Sequence, residues 1–445
     1  MSRQLVPSSI ALNRVCIAGS RRASISSRTE LERGRSERIA QSRSLELSTR
    51  SRIEPVDPLS CTVMPYAWGS RTAIASLTGR PPSNGPEAEL WMGAHPVAPS
   101  FVARDGVRAS LEDVVGRAPH RELGEVVVRE LGPRLPFLLK VLAADEPLSL
   151  QAHPALEQAH AGFDDEDARG VPVDAPHRNY KDRSHKPELL CALGPFEALS
   201  GFRRVEETLR LFDALAVPEL EPTLAPLRAS PDARGLAATF RALMTMPAPK
   251  RAGVIDTTLA ACRRPGGAFV RERALAVRLA AIHPGDIGIV SALLLELVHL
   301  EAGDAIYLGA GNLHAYVQGT GIEIMASSDN VLRGGLTKKH VDVPELLRVL
   351  DFGAGPAEVL RARVVDEHES VYDTPAREFR LSRLHVRGSI RRTTSGPEIL
   401  LVTDGTATAN GVALAKGGSV FVPATTSSYT LEGDATIFRA TTNLP

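Results

Sequence analysis

The sequence predicts a mainly β chain interrupted by one helical insertion, and three observations predict it. Over residues 52–203, short apolar runs are broken by Gly and Pro at strand-like intervals. Between Val205 and Leu279 the apolar period changes to 3.6. After Asp286 the strand-like runs return and continue to the end of the chain.

Within the first β part, residues 135–140 and 149–153 are the clearest strands. In the insertion, Val205, Leu209, Phe212 and Leu215 share one helical face, as do Leu236, Phe240 and Leu243. His283-Pro284-Gly285-Asp286 stops that segment. A strand is predicted over 293–300, a turn over 301–304 and a strand over 305–308. Residues 343–350 read as a short helix with Pro344 in its first turn. Later strands are predicted over 398–402, 419–422 and 428–431. The resulting division is an extension over 1–51 and a β part split between 52–203 and 287–355. A helical insertion occupies 204–286, and a second β domain occupies 356–445.

The 445 residues, 43% apolar and 23% charged, are enough for two or three cores. The zero net charge averages two unlike pieces. Residues 1–50 hold ten Arg, four Glu and eleven Ser with no Lys, Asp or aromatic residue, about +6, which leaves the body at about −6. This head is too poor in apolar residues to pack and reads as a disordered extension. Its Arg and Ser content is that of a transit peptide, its Glu residues argue against one, and a start site placed too early is the third reading. A mildly acidic body without a basic stripe excludes nucleic acid as partner. The longest apolar run, 287–295, is core-sized and excludes a membrane span. Cys16, Cys61, Cys191 and Cys262 form neither a metal-type spacing nor a disulfide framework, which fits a reducing cytoplasm. A cytoplasmic monomer is expected.

Two segments carry metal-type chemistry. Gln151-Ala152-His153 with Glu188, and Gly311-Asn312-Leu313-His314, offer two imidazoles, one carboxylate and one amide oxygen. That donor set favours zinc and tolerates other divalent ions. A spacing of two places Gln151 and His153 on one face of a strand, so Glu188 and His314 must come from other strands. His160, His177, His283, His299, His368 and His385 carry no such context and read as ordinary core or surface residues. His185 and His340 sit inside informative stretches, as neighbours of the site.

Gly303, Gly309 and the Gly311-Asn312-Leu313-His314 run resemble the second signature of cupin barrels, where glycines permit tight turns between strands. Gly418 to Pro423 repeats the turn spacing without a His, so the last domain is expected to bind no metal.

A wider resemblance rests on several blocks in order. They are Tyr66-Ala67-Trp68-Gly69-Ser70, Ala88-Glu89-Leu90-Trp91-Met92-Gly93-Ala94-His95-Pro96 and Pro136-Phe137-Leu138-Leu139-Lys140-Val141-Leu142. Leu148-Ser149-Leu150-Gln151-Ala152-His153-Pro154, Arg178-Asn179-Tyr180-Lys181-Asp182 and His185-Lys186-Pro187-Glu188-Leu189 follow. Downstream come His314-Ala315-Tyr316, Gly321-Ile322-Glu323-Ile324-Met325-Ala326 and residues 328–337. Together, from about Pro58 to Phe352, they closely resemble the type I mannose-6-phosphate isomerase (phosphomannose isomerase) family. Ser184 stands where that family usually has Asn, and Ser200 where Cys is common.

The resemblance implies a split catalytic cupin (jelly-roll) barrel, a helical insertion and a C-terminal barrel. It implies one zinc ion per chain on Gln151, His153, Glu188 and His314, and interconversion of mannose 6-phosphate with fructose 6-phosphate. Mannose catabolism and supply of mannose 6-phosphate for GDP-mannose synthesis use that same equilibrium. Moving a proton between C1 and C2 through a cis-enediol(ate) needs a stabilised oxyanion and a proton carrier. Arg333 is the expected stabiliser, in a turn over 330–335 whose glycines permit close substrate approach. Lys186 and Asp329 are the favoured proton carriers, with Glu323 as a further carboxylate. Seven Lys stand against 45 Arg, yet Lys140, Lys181, Lys186, Lys338 and Lys339 all lie in the resemblance blocks, which marks them as functional candidates. By resemblance Ser149, Lys140, Lys339 and Tyr316 contact the substrate, with Ser149 and Lys339 nearest the phosphate. Trp68 and Trp91 are assigned to packing; Glu89 and His95 read as barrel residues or as neighbours supporting the site, and are left out of it.

Two other classes use such a barrel. An iron-dependent cupin dioxygenase shows two His and one carboxylate, but Gln151, the lysines and Arg333 point instead to an anionic sugar. A non-catalytic sugar-binding cupin would need a broken ligand set or no Arg333, and all are present.

Overall fold

The strand His314–Ala326 organises the molecule. Ile322 and Ile324 alternate into a buried core, as a strand with one packed face requires. Its second half runs antiparallel between strands Phe137–Ala144 and Glu188–Ala192, with Glu323 opposite Lys140 and Met325 opposite Glu188. Its first half pairs with Phe196–Phe202 and Leu150–Ala152, placing His314 opposite both Ser200 and Gln151. Between the halves Gly319 adopts φ 133°, where an added Cβ would lie 2.5 Å from the Phe196 ring. Only glycine lets the two strands pass that closely.

A computed structural model describes residues 55–104, 106–353, 355 and 358–444. The extension predicted for residues 1–51, with Cys16, lies outside the described residues. The strands form an eleven-stranded antiparallel sheet around His314–Ala326, an eight-stranded one at the C-terminal end and a two-stranded hairpin. The eight-stranded sheet includes Arg380–Thr393, Glu398–Ala409, Ser419–Val422 and Ser428–Thr441. Its outermost pairing recruits Asp57–Pro58, with Asp57 opposite Phe421. The two large sheets share one core, in which Leu139, Leu189 and Ile324 pack with Leu401, Phe421 and Phe438.

The helical segment follows the apolar period. Helix Val205–Leu215 buries Val205, Leu211, Phe212 and Leu215, and helix Ala233–Met244 buries Leu236, Phe240 and Leu243. Helix Val270–Ile282 ends where His283-Pro284-Gly285 begins. These helices bury their stripe against Leu150, Leu199, Leu313, Leu332 and Leu336, the back of the strands that carry the candidate ligands.

The architecture is a mixture of helices and antiparallel sheets, with more helix outside the insertion than the sequence predicts. Leu111–Arg117, Pro119–Leu123 and Glu125–Leu131 are helices in a region read as strands. Each is five to seven residues long, too short to display a 3.6 period. Their signals are local: the Ser110 hydroxyl accepts from the Asp113 amide, and Pro119 opens the next helix. Leu156–Ala168 buries only Ala159, Gly162 and Glu166, so it has no apolar stripe to read. Residues 293–294, assigned to a strand by the sequence, belong to the 3₁₀ turn Ala292–Leu294 before Leu295–Leu300.

Candidate metal centre

The ligand geometry starts from strand pairing. In an antiparallel pair, residues directly opposite point to the same side of the sheet. Gln151 lies opposite His314 on one neighbour and opposite Arg333 on the other, so these three residues line one face. His153 follows at the end of Leu150–Ala152, and Glu188 opens Glu188–Ala192.

The donor atoms of His153, Glu188 and His314 all lie within 4.8 Å of one another. His153 Nε2 is 3.3 Å from Glu188 Oε1, and His314 Nε2 is 3.4 Å from Glu188 Oε2. All three side chains are buried. Among the described residues no other His, Cys, Asp and Glu cluster is close enough to share an ion. Both imidazoles are oriented from behind: His153 Nδ1 donates to the Asn330 carbonyl at 2.7 Å and His314 Nδ1 to the Asn312 carbonyl at 3.0 Å. Those bonds place the proton on Nδ1 and leave both Nε2 lone pairs facing inward. His153 Nε2, His314 Nε2 and Glu188 Oε2 are buried without a hydrogen-bond partner. Orphaned acceptors in a sealed interior are expensive unless a cation completes them. Imidazole nitrogens with a carboxylate and a nearby amide oxygen suit zinc.

Electrostatics keeps the ligands in their binding forms. Burial pushes the His153 imidazole down to about 4, so it stays neutral. Burial pushes Glu188 up, but the Lys186 ammonium leads the groups that outweigh it and hold the carboxyl well below its ordinary range. Lys186 Nζ sits 2.9 Å from Glu188 Oε1 and is itself buried.

A second buried polar group adjoins the first. Lys140 Nζ donates to Glu323 Oε2 at 2.8 Å and lies 3.7 Å from Glu89 Oε1. Burial opposes the ammonium charge, but Glu323 and Glu89 more than offset it and raise the Lys140 pKa. Tyr316 donates to Glu323 Oε1 at 2.9 Å, and Trp91 Nε1 donates to Glu89 Oε2 at 2.7 Å. Lys140 and Glu323 therefore hold each other as an ion pair, with Tyr316 protonated beside them, its hydroxyl pKa raised by burial and by Glu323.

Arg333 lies on the short strand Leu332–Gly335, not in the turn the sequence predicts. Its glycines allow close packing of the strand. A Cβ on Gly335 would lie 2.9 Å from the Gly288 backbone, and one on Gly334 would lie 3.0 Å from Leu313. The Arg333 side chain is half-buried and has no hydrogen bond or ion pair among the described residues. Burial lowers its pKa without any carboxylate to oppose the effect. Lys339 is exposed, is likewise unpaired, and has its pKa lowered by burial and then by the Arg333 charge. Ser149 is half-buried directly before the strand bearing Gln151. Asp329 is half-exposed, with Lys186 and Lys140 among its electrostatic neighbours.

Sequence reasoning gave Asn330 no role, and the structure sets His95, read as a barrel residue or a supporting neighbour, 3.3 Å from Asp329. Asn330 is fully buried, and its side chain accepts from the Lys181 and Asp182 amides and donates to the Asp182 and Ser184 carbonyls. It ties the segment leading to Lys186 to the carbonyl that orients His153. Asn330 stands in a resemblance block, which was the available signal, but a backbone carbonyl leaves no mark on residue type. His185 faces elsewhere, with Nε2 2.7 Å from Glu378, and His340 is exposed with its ring edge-on to His177.

Known proteins are similar to this chain in sequence and fold. The profile described as "Phosphomannose isomerase type I, catalytic domain" matches residues 56–205. The mannose-6-phosphate isomerase of Escherichia coli is 39% identical over 388 residues, covering 85% of this chain and 97% of that protein. That of Rattus norvegicus is 33% identical over 427 residues, covering 86% and 98%. Among solved structures, a zinc-bound mannose 6-phosphate isomerase superposes with a TM-score of 0.82 at 35% identity, covering 87% of this chain and all of that one. A mutant phosphomannose isomerase from Salmonella typhimurium gives 0.83 at 34%, with the same coverage. With relatives at this identity matched along nearly their whole length, and with the buried histidine–glutamate cluster in place, the chain belongs to the type I phosphomannose isomerase family.

Proposed function

We propose that this chain is a zinc-dependent aldose–ketose isomerase interconverting D-mannose 6-phosphate and D-fructose 6-phosphate, an intramolecular oxidoreductase. One observation carries the reading. Three buried, unpartnered donor atoms converge beside a half-buried arginine that has no counter-ion among the described residues. Inward-facing donors suited to a divalent cation, beside a guanidinium without a counter-ion, are shaped for an anionic, oxygen-rich substrate.

Gln151, His153, Glu188 and His314 would hold the zinc, whose Lewis acidity would polarise the sugar oxygens. Arg333 stabilises the enediolate charge that develops as the proton leaves carbon. Lys186 and Asp329 carry the proton between C1 and C2 at the mouth of the site, with Glu323 orienting hydroxyls from the Lys140–Tyr316 network. Lys339 and Ser149 bind the phosphate, where a compact ammonium suits a dianion. Lys140 and Tyr316 contact the sugar.

We read the larger sheet as a split cupin barrel formed by residues 52–203 and 287–355, residues 204–286 as its helical insertion and 356–445 as a second barrel. Among the described residues no helix is long and apolar enough to cross a membrane. We place the enzyme in the cytoplasm as a monomer. The dioxygenase reading is disfavoured by the unpaired Arg333 and Lys339, which an oxygen-activating site does not need.

The test is mannose 6-phosphate turnover before and after chelation, with zinc added back. Loss and recovery of fructose 6-phosphate formation is the expected result. Folded, zinc-loaded protein without turnover would overturn the assignment.

A further inference from the structure

We infer that His95 is a positioning residue of the isomerase site: its buried imidazole fixes the Asp329 carboxylate in the orientation that serves proton transfer. The inference rests on the role proposed above for Asp329 and adds the group that holds it.

The imidazole is 4% exposed, set just past the strand Glu89–Met92. Its Nδ1 accepts the Val97 backbone amide at 3.3 Å, so in the neutral ring the proton resides on Nε2. Nε2 lies 3.3 Å from Asp329 Oδ1, so the proton it carries faces that oxygen at ion-pair distance. The ring cannot swing away, because Trp91 packs against it at 4.9 Å and 75°. Trp91 is in turn fixed through Nε1 on Glu89, and Glu89 adjoins Lys140. The rigid chain Lys140–Glu89–Trp91–His95 thus ends on a carboxylate.

Asp329 is held from its backbone as well, its amide donating to Asp182 Oδ2 at 2.8 Å. With main chain and Oδ1 both anchored, Oδ2 is the atom left without a partner among the described residues. The charged and titratable groups around this residue include His95, Lys186, Lys140 and Tyr66 near its carboxylate and Asp182 at its backbone amide. Burial raises the Asp329 pKa, but His95 foremost, with Lys186 and Lys140, brings it below its ordinary value. A carboxylate with one oxygen tied to a buried donor and the other turned outward is restricted to one presentation of its basic lone pairs. A purely structural histidine would have no reason to spend its donor on a half-exposed acid at the mouth of the site.

The experiment compares zinc-loaded full-length His95→Phe, His95→Gln and Asp329→Asn with the parent enzyme. Phe keeps the shape against Trp91 and removes the donor; Gln returns a donor near the Nε2 position. If His95→Phe does not fold, His95→Asn replaces it, since its amide reaches only the Nδ1 position. We expect the donor-less variant to lose roughly tenfold to a hundredfold in kcat, the scale for a displaced catalytic group. KM and zinc content should stay within about threefold, and His95→Gln should recover most of the loss. Loss of the donor also raises the Asp329 pKa, so the acidic limb of the kcat profile should move to higher pH. Combined with Asp329→Asn, the His95 change should add nothing further.

Parent-like kcat and an unmoved acidic limb in the donor-less variant would overturn the inference. So would losses that multiply in the double variant, or a His95→Gln as impaired as His95→Phe. If Asp329→Asn itself kept parent kcat, the proposed role of Asp329 would fall. A crippled Asp329→Asn beside a parent-like His95→Phe would remove only His95.

Discussion

Replacing Arg333 with Ala is the sharpest test of the proposed chemistry. The guanidinium is half-buried and has no carboxylate partner among the described residues, so its removal orphans no buried counter-charge. Folding should therefore be little affected, with stability changed by less than about 1 kcal/mol. Its worth lies in the transition state. Two unit charges about 4 Å apart in a partly buried setting, with an effective dielectric of about 20, interact by roughly 4 kcal/mol. That converts to about 10³ in rate, within the range for removal of a single oxyanion donor. Arg333 lies opposite Gln151 but is not a metal donor, so zinc content should remain at one per chain. The assay couples fructose 6-phosphate formation to a spectrophotometric readout, with zinc measured by elemental mass spectrometry on the same sample. Arg333→Lys should recover part of kcat, because an ammonium restores the charge without the planar fork. A fully zinc-loaded Arg333→Ala enzyme within tenfold of parent kcat would refute the assignment.

Three further outcomes are expected. His314→Ala removes one of three converging donors and should lose zinc and turnover together; retention of one zinc per chain after dialysis against chelator would contradict the ligand set. Lys140→Met leaves the Glu89 and Glu323 carboxylates buried without their cation, a loss of about 3–5 kcal/mol that a lowered thermal midpoint should register. An unchanged midpoint would mean that the pair is not structurally coupled. Metal-free protein should lose stability on acidification. The folded His153 pKa is depressed to about 4 from 6.5, so the unfolded chain takes the proton first and stability falls between those pH values, by at most about 3 kcal/mol. Glu188, also held low, acts in the same direction at lower pH. His153→Gln should flatten the curve of unfolding midpoint against pH, and parallel curves would show that His153 contributes nothing.

What could be read in the sequence was local. The 3.6 period located Val205–Leu215 and Ala233–Met244, because each buries an apolar stripe and its spacing records the fact. His153, Glu188 and His314 could be picked out by donor chemistry, because few side chains ligate zinc and these lie in tight context. Three things left no trace. The helices at 111–131 are shorter than two periods, so caps rather than periodicity define them. The groups that orient the ligand imidazoles are the carbonyls of Asn330 and Asn312, and any residue supplies a carbonyl. The pairing of Lys140 with Glu323 is set by the register of strands far apart in sequence, which composition cannot encode.

That register depends on an irregularity in the central strand. His314 and Tyr316 are even-numbered and Glu323 is odd, so a perfect two-residue alternation would put Glu323 on the opposite face. The register against Phe196–Phe202 shifts between Tyr316 and Gln318, and Gly319 follows at φ 133°. One extra residue at such a bulge exchanges the two faces beyond it. The exchange brings the Tyr316 hydroxyl within 2.9 Å of Glu323 and sets Glu323 opposite Lys140. The same strand can then offer a metal ligand at one end and a charged network at the other, both facing one interior. Ordinary alternation would have turned one of them outward. The bulge, with a glycine beside Phe196 where no side chain fits, is therefore the backbone feature that makes one site out of two sets of residues.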